Sequence, residues 1–408
     1  MVRGRGTTRC RALAAFVALS LAWGACPDQL AAQSTARPQR VEDPFRRFRD
    51  ADPQPIPLLP SEIAWTLTLP TTPSAGGALG ALHVYVPLRD GRLIAVDRES
   101  GLLSWTRIVN TSTAPVVDAT TVYTLHGASL RALDAATGED RWAVVMDAPP
   151  IAPLRLVNGL LLAVIEPGEA FAFRASTGEL LWRRPLGAPA VSAPVGGNGA
   201  LYVTVSDGRL LALAPDDGRI LWEQKVPGAL SEPAVADDRV YVGSTDNGLY
   251  AFDADGGVRE WRYPGGGDVI GAVADAGLVY VVSLDNIIRA LNRGNGNQRW
   301  KKEAGTRPTL PPMAFGGLVI VPGLLPAATI FNGRTGALLG TLAVAQGNLM
   351  GPPLIDTALT PYRVAIVTLT REGVLEAHRP TTLMFREPVV PVVLPALPGR
   401  ALPRETLR

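Results

Sequence analysis

Few residues in this chain of 408 carry distinctive chemistry, and their placement decides which reactions are open to it. Both cysteines, Cys10 and Cys26, lie near the N-terminus, so the remainder has no disulfide and no thiol nucleophile. The three histidines, His83, His126 and His378, are scattered one to a segment. A metal site needs two or more to converge, and isolated histidines are more often surface or packing residues. Asp90, Asp207, Asp216, Asp217 and Asp285 fall mostly in turn-like stretches, where a local hydrogen-bonding role is sufficient. No Gly-x-Ser-x-Gly elbow is present, although spacing alone does not test for a Ser/His/Asp triad. The stretches Gly265–Gly267 and Gly196-Gly197-Asn198-Gly199 are not followed by a helix and read as loops, not phosphate cradles. That leaves the tryptophans. They suit either packing or a ring of stacking platforms for a sugar or a quinone, the latter only if several face one channel.

Apart from Trp23, the tryptophans are Trp65, Trp105, Trp142, Trp182, Trp222, Trp261 and Trp300, separated by 40, 37, 40, 40, 39 and 39 residues. A glycine stands four residues before each of the last six: Gly101, Gly138, Gly178, Gly218, Gly257 and Gly296. The same register reaches Gly336, with Gly340 where the next tryptophan would fall. Eight residues before the tryptophan come Asp97, Asp134, Asp253 and Asn292, with Asn332 in register and Arg174 and Ala214 as exceptions. A period near forty marks a repeat architecture.

Each unit reads as turns and short strands. In Val84–Trp105 (VYVPLRDGRLIAVDRESGLLSW), apolar and polar residues alternate around an Asp-Gly turn and a glycine-ended turn. The aspartate or asparagine suits backbone capping and the glycine a left-handed turn position. A further strand precedes each hairpin, as at Ala114–Val117, Ala193–Val195 and Glu232–Val235. Four strands in about forty residues make a propeller blade. Hairpins begin near Val84, Val122, Leu161, Leu201, Val240, Val279, Val319 and Val364, which predicts eight blades. The eighth, Arg363–Pro380, lacks its Gly-x-x-x-Trp, whereas Trp65 has no hairpin before it. Ile63–Thr68 is therefore expected to be the outer strand of blade eight. The fold class is an all-β, eight-bladed propeller of four-stranded antiparallel blades, closed by an N-terminal strand and spanning residues 63–380.

Composition agrees. Glycine and proline, 42 and 36 residues, make an excess of turn formers that argues against a helical bundle. Four arginines precede the apolar run Ala12–Leu21, which has the length of a signal h-region and not of a membrane span. Residues 1–32 read as a signal peptide. In a second reading, Gly24-Ala25-Cys26 ends a lipobox, with Trp23 where leucine is usual, and Cys26 carries a lipid anchor for peripheral membrane association. Removing residues 1–32 takes away Arg3, Arg5, Arg9, Arg11 and Asp28 and turns the net charge from +2 to −1. No nucleic-acid footprint is expected. Residues 33–62 read as a Pro/Arg-rich linker and 381–408 as a Pro-rich tail, in which Val389–Leu397 is apolar enough to lie on the propeller or on a partner.

The unit Ala132–Trp142 (ALDAATGEDRW) resembles the pyrroloquinoline-quinone (PQQ) type propeller repeat, and the resemblance runs through Ile63–Pro380. Two groups share the repeat. Quinoprotein dehydrogenases would imply PQQ, calcium held by carboxylate and amide oxygens, a catalytic aspartate and often an adjacent half-cystine pair. This chain departs from them in lacking the cysteine pair and the long insertions, and no Glu/Asn/Asp set matches residue by residue. The propeller lipoprotein of the outer-membrane β-barrel assembly machinery would imply a non-catalytic periplasmic scaffold whose partner is the assembly barrel, with no cofactor. The expectation is such an exported scaffold. A PQQ-binding dehydrogenase and a receptor for glycan or another ligand are the alternatives.

Overall fold

The computed structural model describes residues 61–380 apart from 112, 276, 325–326, 345–346 and 357–365. The signal segment with Cys26, the linker up to residue 60 and the tail from 381 lie outside the described residues. Each repeat folds into one four-stranded antiparallel sheet, and eight such sheets form the propeller. Blades 1–7 occupy residues 78–108, 116–145, 155–185, 195–225, 234–264, 269–303 and 313–343, their strands numbered 1–4 from the channel outward. Blade 8 takes strands 1–3 from Leu354–Ile355, Ile366–Leu369 and Val374–Pro380, and strand 4 from Ser61–Thr68. The closing strand runs antiparallel to Val374–Pro380, from Ser61 opposite Pro380 to Thr68 opposite Val374, with a bulge between Ile63 and Trp65. It begins two residues before the expected Ile63.

Burial explains the strand sequences. Strands 2 and 3 are covered on both faces by neighbouring blades, so Val84, Tyr85 and Val86 are all essentially inaccessible. Alternation of the kind read from the sequence persists only in the outer strands, such as Asp140–Val145, which have one covered and one exposed face. The core is accordingly divided into eight layers, one at each seam between blades.

Turn chemistry fixes where the strands reverse. In the 3–4 turn of blade 2, Asp134 Oδ1 accepts from the backbone N–H groups of Ala136 and Thr137, both at 2.9 Å. The Arg141 guanidinium donates to Asp134 Oδ2 at 2.8 Å, and this bond is the main reason the carboxyl pKa falls to about 2. In the 2–3 turns of blades 5 and 6, Asn247 and Asn286 adopt φ of 64° and 62°, a conformation asparagine tolerates better than most residues. Antiparallel connectivity puts the 2–3 turns and the 4–1 loops on one face of the ring, here called the mouth face. The 1–2 and 3–4 turns occupy the other face, and there the described chain both begins and ends, Ser61 beside Pro380.

Candidate functional site

The tryptophan–glycine pattern is an inter-blade clamp. The glycine of each 3–4 turn receives the indole of the preceding blade, not of its own. Gly101 meets Trp65, Gly138 meets Trp105, and so on around the ring to Gly336 on Trp300. A Cβ on any of the seven would sit 2.5–2.8 Å from an indole carbon. All seven glycines have φ between 67° and 75°, which other residues adopt only with strain. Each indole Nε1–H also donates to a carbonyl of the next blade, from Trp65 to Arg98 O through Trp300 to Gly333 O, at 2.7–3.2 Å. The indoles are therefore engaged in the seams, with their polar atoms paired.

Two further partners went unread in the sequence. Tyr85, Tyr123, Tyr202, Tyr241 and Tyr280, on strand 2, pack against the tryptophan of their own blade with ring centroids 5.7–6.0 Å apart. In two blades the phenol and the indole donate to one and the same carbonyl: Ala135 O receives Tyr85 and Trp105, and Ala254 O receives Tyr202 and Trp222. In blade 2 Trp142 donates to Ala175 O, while the Tyr123 hydroxyl, 3.2 Å from that carbonyl, has Asp118 Oδ2 nearer at 2.7 Å. Burial raises the pKa of Tyr85, Tyr123 and Tyr202 to about 12. The second partner is the buried alanine across from each tryptophan: Ala95, Ala132, Ala172, Ala212, Ala251, Ala290 and Ala377. A tyrosine nineteen or twenty residues before the tryptophan and, for all of them but Ala377, an alanine ten before it are the signals that would have found them.

The seam between blades 7 and 8 is built differently. Gly340 replaces the tryptophan, and Ile330 replaces the small residue opposite it. Blade 8 has no 3–4 turn to receive an indole, because its strands 3 and 4 come from the two ends of the propeller segment. On strand 3 of the other blades, Val96, Leu133, Phe173, Leu213, Phe252, Leu291 and Phe331 occupy the position after the alanine or isoleucine; blade 8 places buried His378 there. His378 Nε2 lies 3.9 Å from Oε2 of buried Glu376, and burial lowers the histidine pKa.

The remaining chemistry-bearing residues do not converge. His83 is buried in strand 2 of blade 1, edge-on to Tyr85 at 5.9 Å. His126, at the end of strand 2 of blade 2, has Nδ1 2.6 Å from Asn110 O. Asp90 and Asp207 each hold the arginine two residues on, and Asp285 pairs with Arg289. Arg183 joins Asp147 and Glu169 and lies 5.4 Å over the Phe171 ring, whereas Lys301 and Lys302 are exposed. Among the described residues, no three His, Cys, Asp or Glu side chains gather as a metal would require.

The channel is lopsided at its mouth. Around blade 4, Arg155 of blade 3 pairs with Glu232 of blade 5, and the inner strand between them is glycine-rich. A Cβ on Gly196 would lie 2.1 Å from Val157, and one on Gly197 2.3 Å from Val235. On the opposite side a cavity of about 670 Å³ opens, walled mainly by Leu310, Pro322, Leu324, Leu349, Met350 and Pro352. Asn348 and Arg371 bring polar groups to it, and Arg371 is its one charged lining residue among those described.

Eight four-stranded blades, clamped tryptophan on glycine at seven of their eight seams, define a propeller of the PQQ-like repeat class. The sequence matches the family described as outer membrane protein assembly factor BamB over residues 61–158, 126–232 and 212–371, and the chain belongs to that family. No curated protein sequence matches it. Among solved structures, BamB from Moraxella catarrhalis is similar with TM-score 0.62 and 18% identity, over 78% of this chain and 99% of that one. The computationally designed Ika8 protein aligns at 0.64 with 15% identity, over 78% and 99% of the two chains. Sqt1 from Saccharomyces cerevisiae aligns at 0.66 with 12% identity, over 78% and 100%. At these identities the three structures speak for the fold.

Proposed function

We propose that the chain is a non-catalytic scaffold of outer membrane protein assembly, exported to the periplasm and binding another protein through its loops. What carries the reading is the employment of the repeat residues. The tryptophans that could have formed stacking platforms are committed to the seams, and Asp134 and Asp207 to turns and ion pairs. The family's description as an assembly factor supports the same conclusion. In this reading the partner is the outer-membrane β-barrel assembly protein, no cofactor takes part, and Cys26 either leaves with the signal or carries the lipid anchor.

A pull-down of the tagged protein from solubilised outer membranes tests the proposal. Recovery of a β-barrel assembly protein is expected, and its consistent absence would defeat the specific partner. Dye reduction with alcohols or sugars after incubation with PQQ and calcium would defeat the non-catalytic role.

A further inference from the structure

We propose that the seam between blades 7 and 8 is an acid-sensitive opening point of the ring, at which His378 takes up a proton when the two blades part. Strands 2 and 3 of blade 8 turn different faces to their two neighbours. Val367, Leu369, Leu375 and Ala377 pack on blade 1, whereas Ile366 packs on Leu318, Ile320, Ala328, Ile330 and Leu342 of blade 7. His378 lies opposite Ile366 in the ladder and Glu376 opposite Thr368, so these four side chains share the face towards blade 7. Thr368, Glu376 and His378 are 0%, 1% and 4% exposed, which makes this face polar as well as buried. Among the described residues, neither the Thr368 hydroxyl nor His378 Nε2 has a hydrogen-bond partner, and a buried polar atom left unpaired costs stability. The indole clamp is missing from the same seam, where Gly340 lies opposite Ile330. The ring is thus least clamped where its buried polar groups are least satisfied.

Protonation supplies the trigger. Burial holds the His378 pKa below its ordinary value of 6.5, so the closed seam resists a proton that the open seam accepts. Neutral His378 therefore leaves the seam fully stable well above pH 6.5, and stability is lost as the pH falls through that value. Among the charged groups of the described residues, Glu376 comes closest, its Oε2 3.9 Å from Nε2 and beyond hydrogen-bond reach. Its attraction is outweighed by burial, since the histidine pKa is lowered and not raised. Arg379 turns to the other face, 3.9 Å from Glu99 of blade 1, and Glu62 of the closing strand lies opposite it. The blade 7 side chains around Ile366 are all apolar, and the 3–4 turn that bears Arg334 leans on Trp300 of blade 6 through Gly336. The inference goes beyond the scaffold reading and holds whatever the propeller binds.

Amide hydrogen exchange of the full chain at about pH 7.5 and about pH 5.5 tests it, read as protection factors so that the intrinsic pH dependence of exchange cancels. Protection of Leu338–Ala343 and Val374–Pro380 should fall about five- to tenfold at the lower pH, while Ile220–Lys225 of blade 4 keeps its own. His378→Phe, which installs the residue that blades 3, 5 and 7 carry there as Phe173, Phe252 and Phe331, should abolish the fall. In the unmodified chain, exchange of the His378 imidazole C2 hydrogen should titrate with a midpoint below 6.5. The proposal is overturned by an unchanged seam, an equal fall in blade 4 or an equal fall in His378→Phe. It is overturned as well by a gain of protection through a His378–Glu376 ion pair, or by a midpoint at or above 6.5.

Discussion

A single clamp couples a glycine to a tryptophan 33–36 residues earlier, so the two side chains of one contact belong to different repeats. Gly218 and Trp182 show what this implies. Trp182 is buried, and Trp182→Ala should cost about 3–5 kcal/mol. Gly218→Ala forces a left-handed alanine against the indole, at about 2–5 kcal/mol from strain and overpacking together. With the indole gone the added methyl loses the three atoms nearest to it, so urea denaturation of the double variant should show a cost at least about 0.5 kcal/mol below the sum. Strict additivity would refute the clamp. Tyr85, Tyr123 and Tyr202 make a second prediction. Their pKa of about 12 lies above the ordinary value of 10.0, so the unfolded chain loses these protons first. The stability they contribute is full below about pH 10 and is lost as pH rises towards 12. Tyr241, Tyr250 and Tyr280 are raised as well, so phenolate absorbance should show six tyrosines that titrate late, and denaturation at about pH 11 should show reduced stability. The spacing of tryptophan and glycine was legible in the sequence. Which glycine met which tryptophan was not, because the contact crosses a seam.

Strands within a blade are held alike, but the seams are not. Seven carry an indole and its hydrogen bond, and the seam between blades 7 and 8 carries Gly340 with Ile330 opposite. Without the clamp, the outer strand Leu338–Ala343 is tied down chiefly by its own ladder. Amide hydrogen exchange should therefore be at least about tenfold faster there than in Ile220–Lys225 of blade 4. Equal protection would mean that the clamp does not hold outer strands. The closing strand Ser61–Thr68 should resemble blade 4, since Trp65 makes the full set of contacts with blade 1. The missing tryptophan and the missing hairpin are visible in the sequence as two separate defects. Their placement on opposite ends of one blade follows from ring closure, which brings Ser61 and Pro380 side by side.

The ring as a whole depends on a strand that is not covalently continuous with the rest of its blade. Removing residues 61–68 would leave Val374–Pro380 as an unpaired edge, open to pairing with another chain. Light scattering on that deletion should show oligomers or aggregates where the intact chain is monodisperse; a monodisperse, folded deletion would show that closure is dispensable. Arg98 of blade 1, paired with Asp356 of blade 8, adds an ionic link across the same seam. The lopsided mouth also belongs to this scale. Arg155 and Glu232 link blades 3 and 5 beside the glycines of blade 4, and the cavity lies beside blades 7 and 8.

Repeat length, blade number and the closing strand were set by local pattern alone, because turn residues and strand periodicity act over a few residues and recur at a constant interval. The partner of each indole, the double burial of the middle strands, the shared carbonyls and the off-centre cavity arose only when the blades met. These are contacts between residues tens to hundreds of positions apart, and no periodicity along one chain encodes which faces will touch.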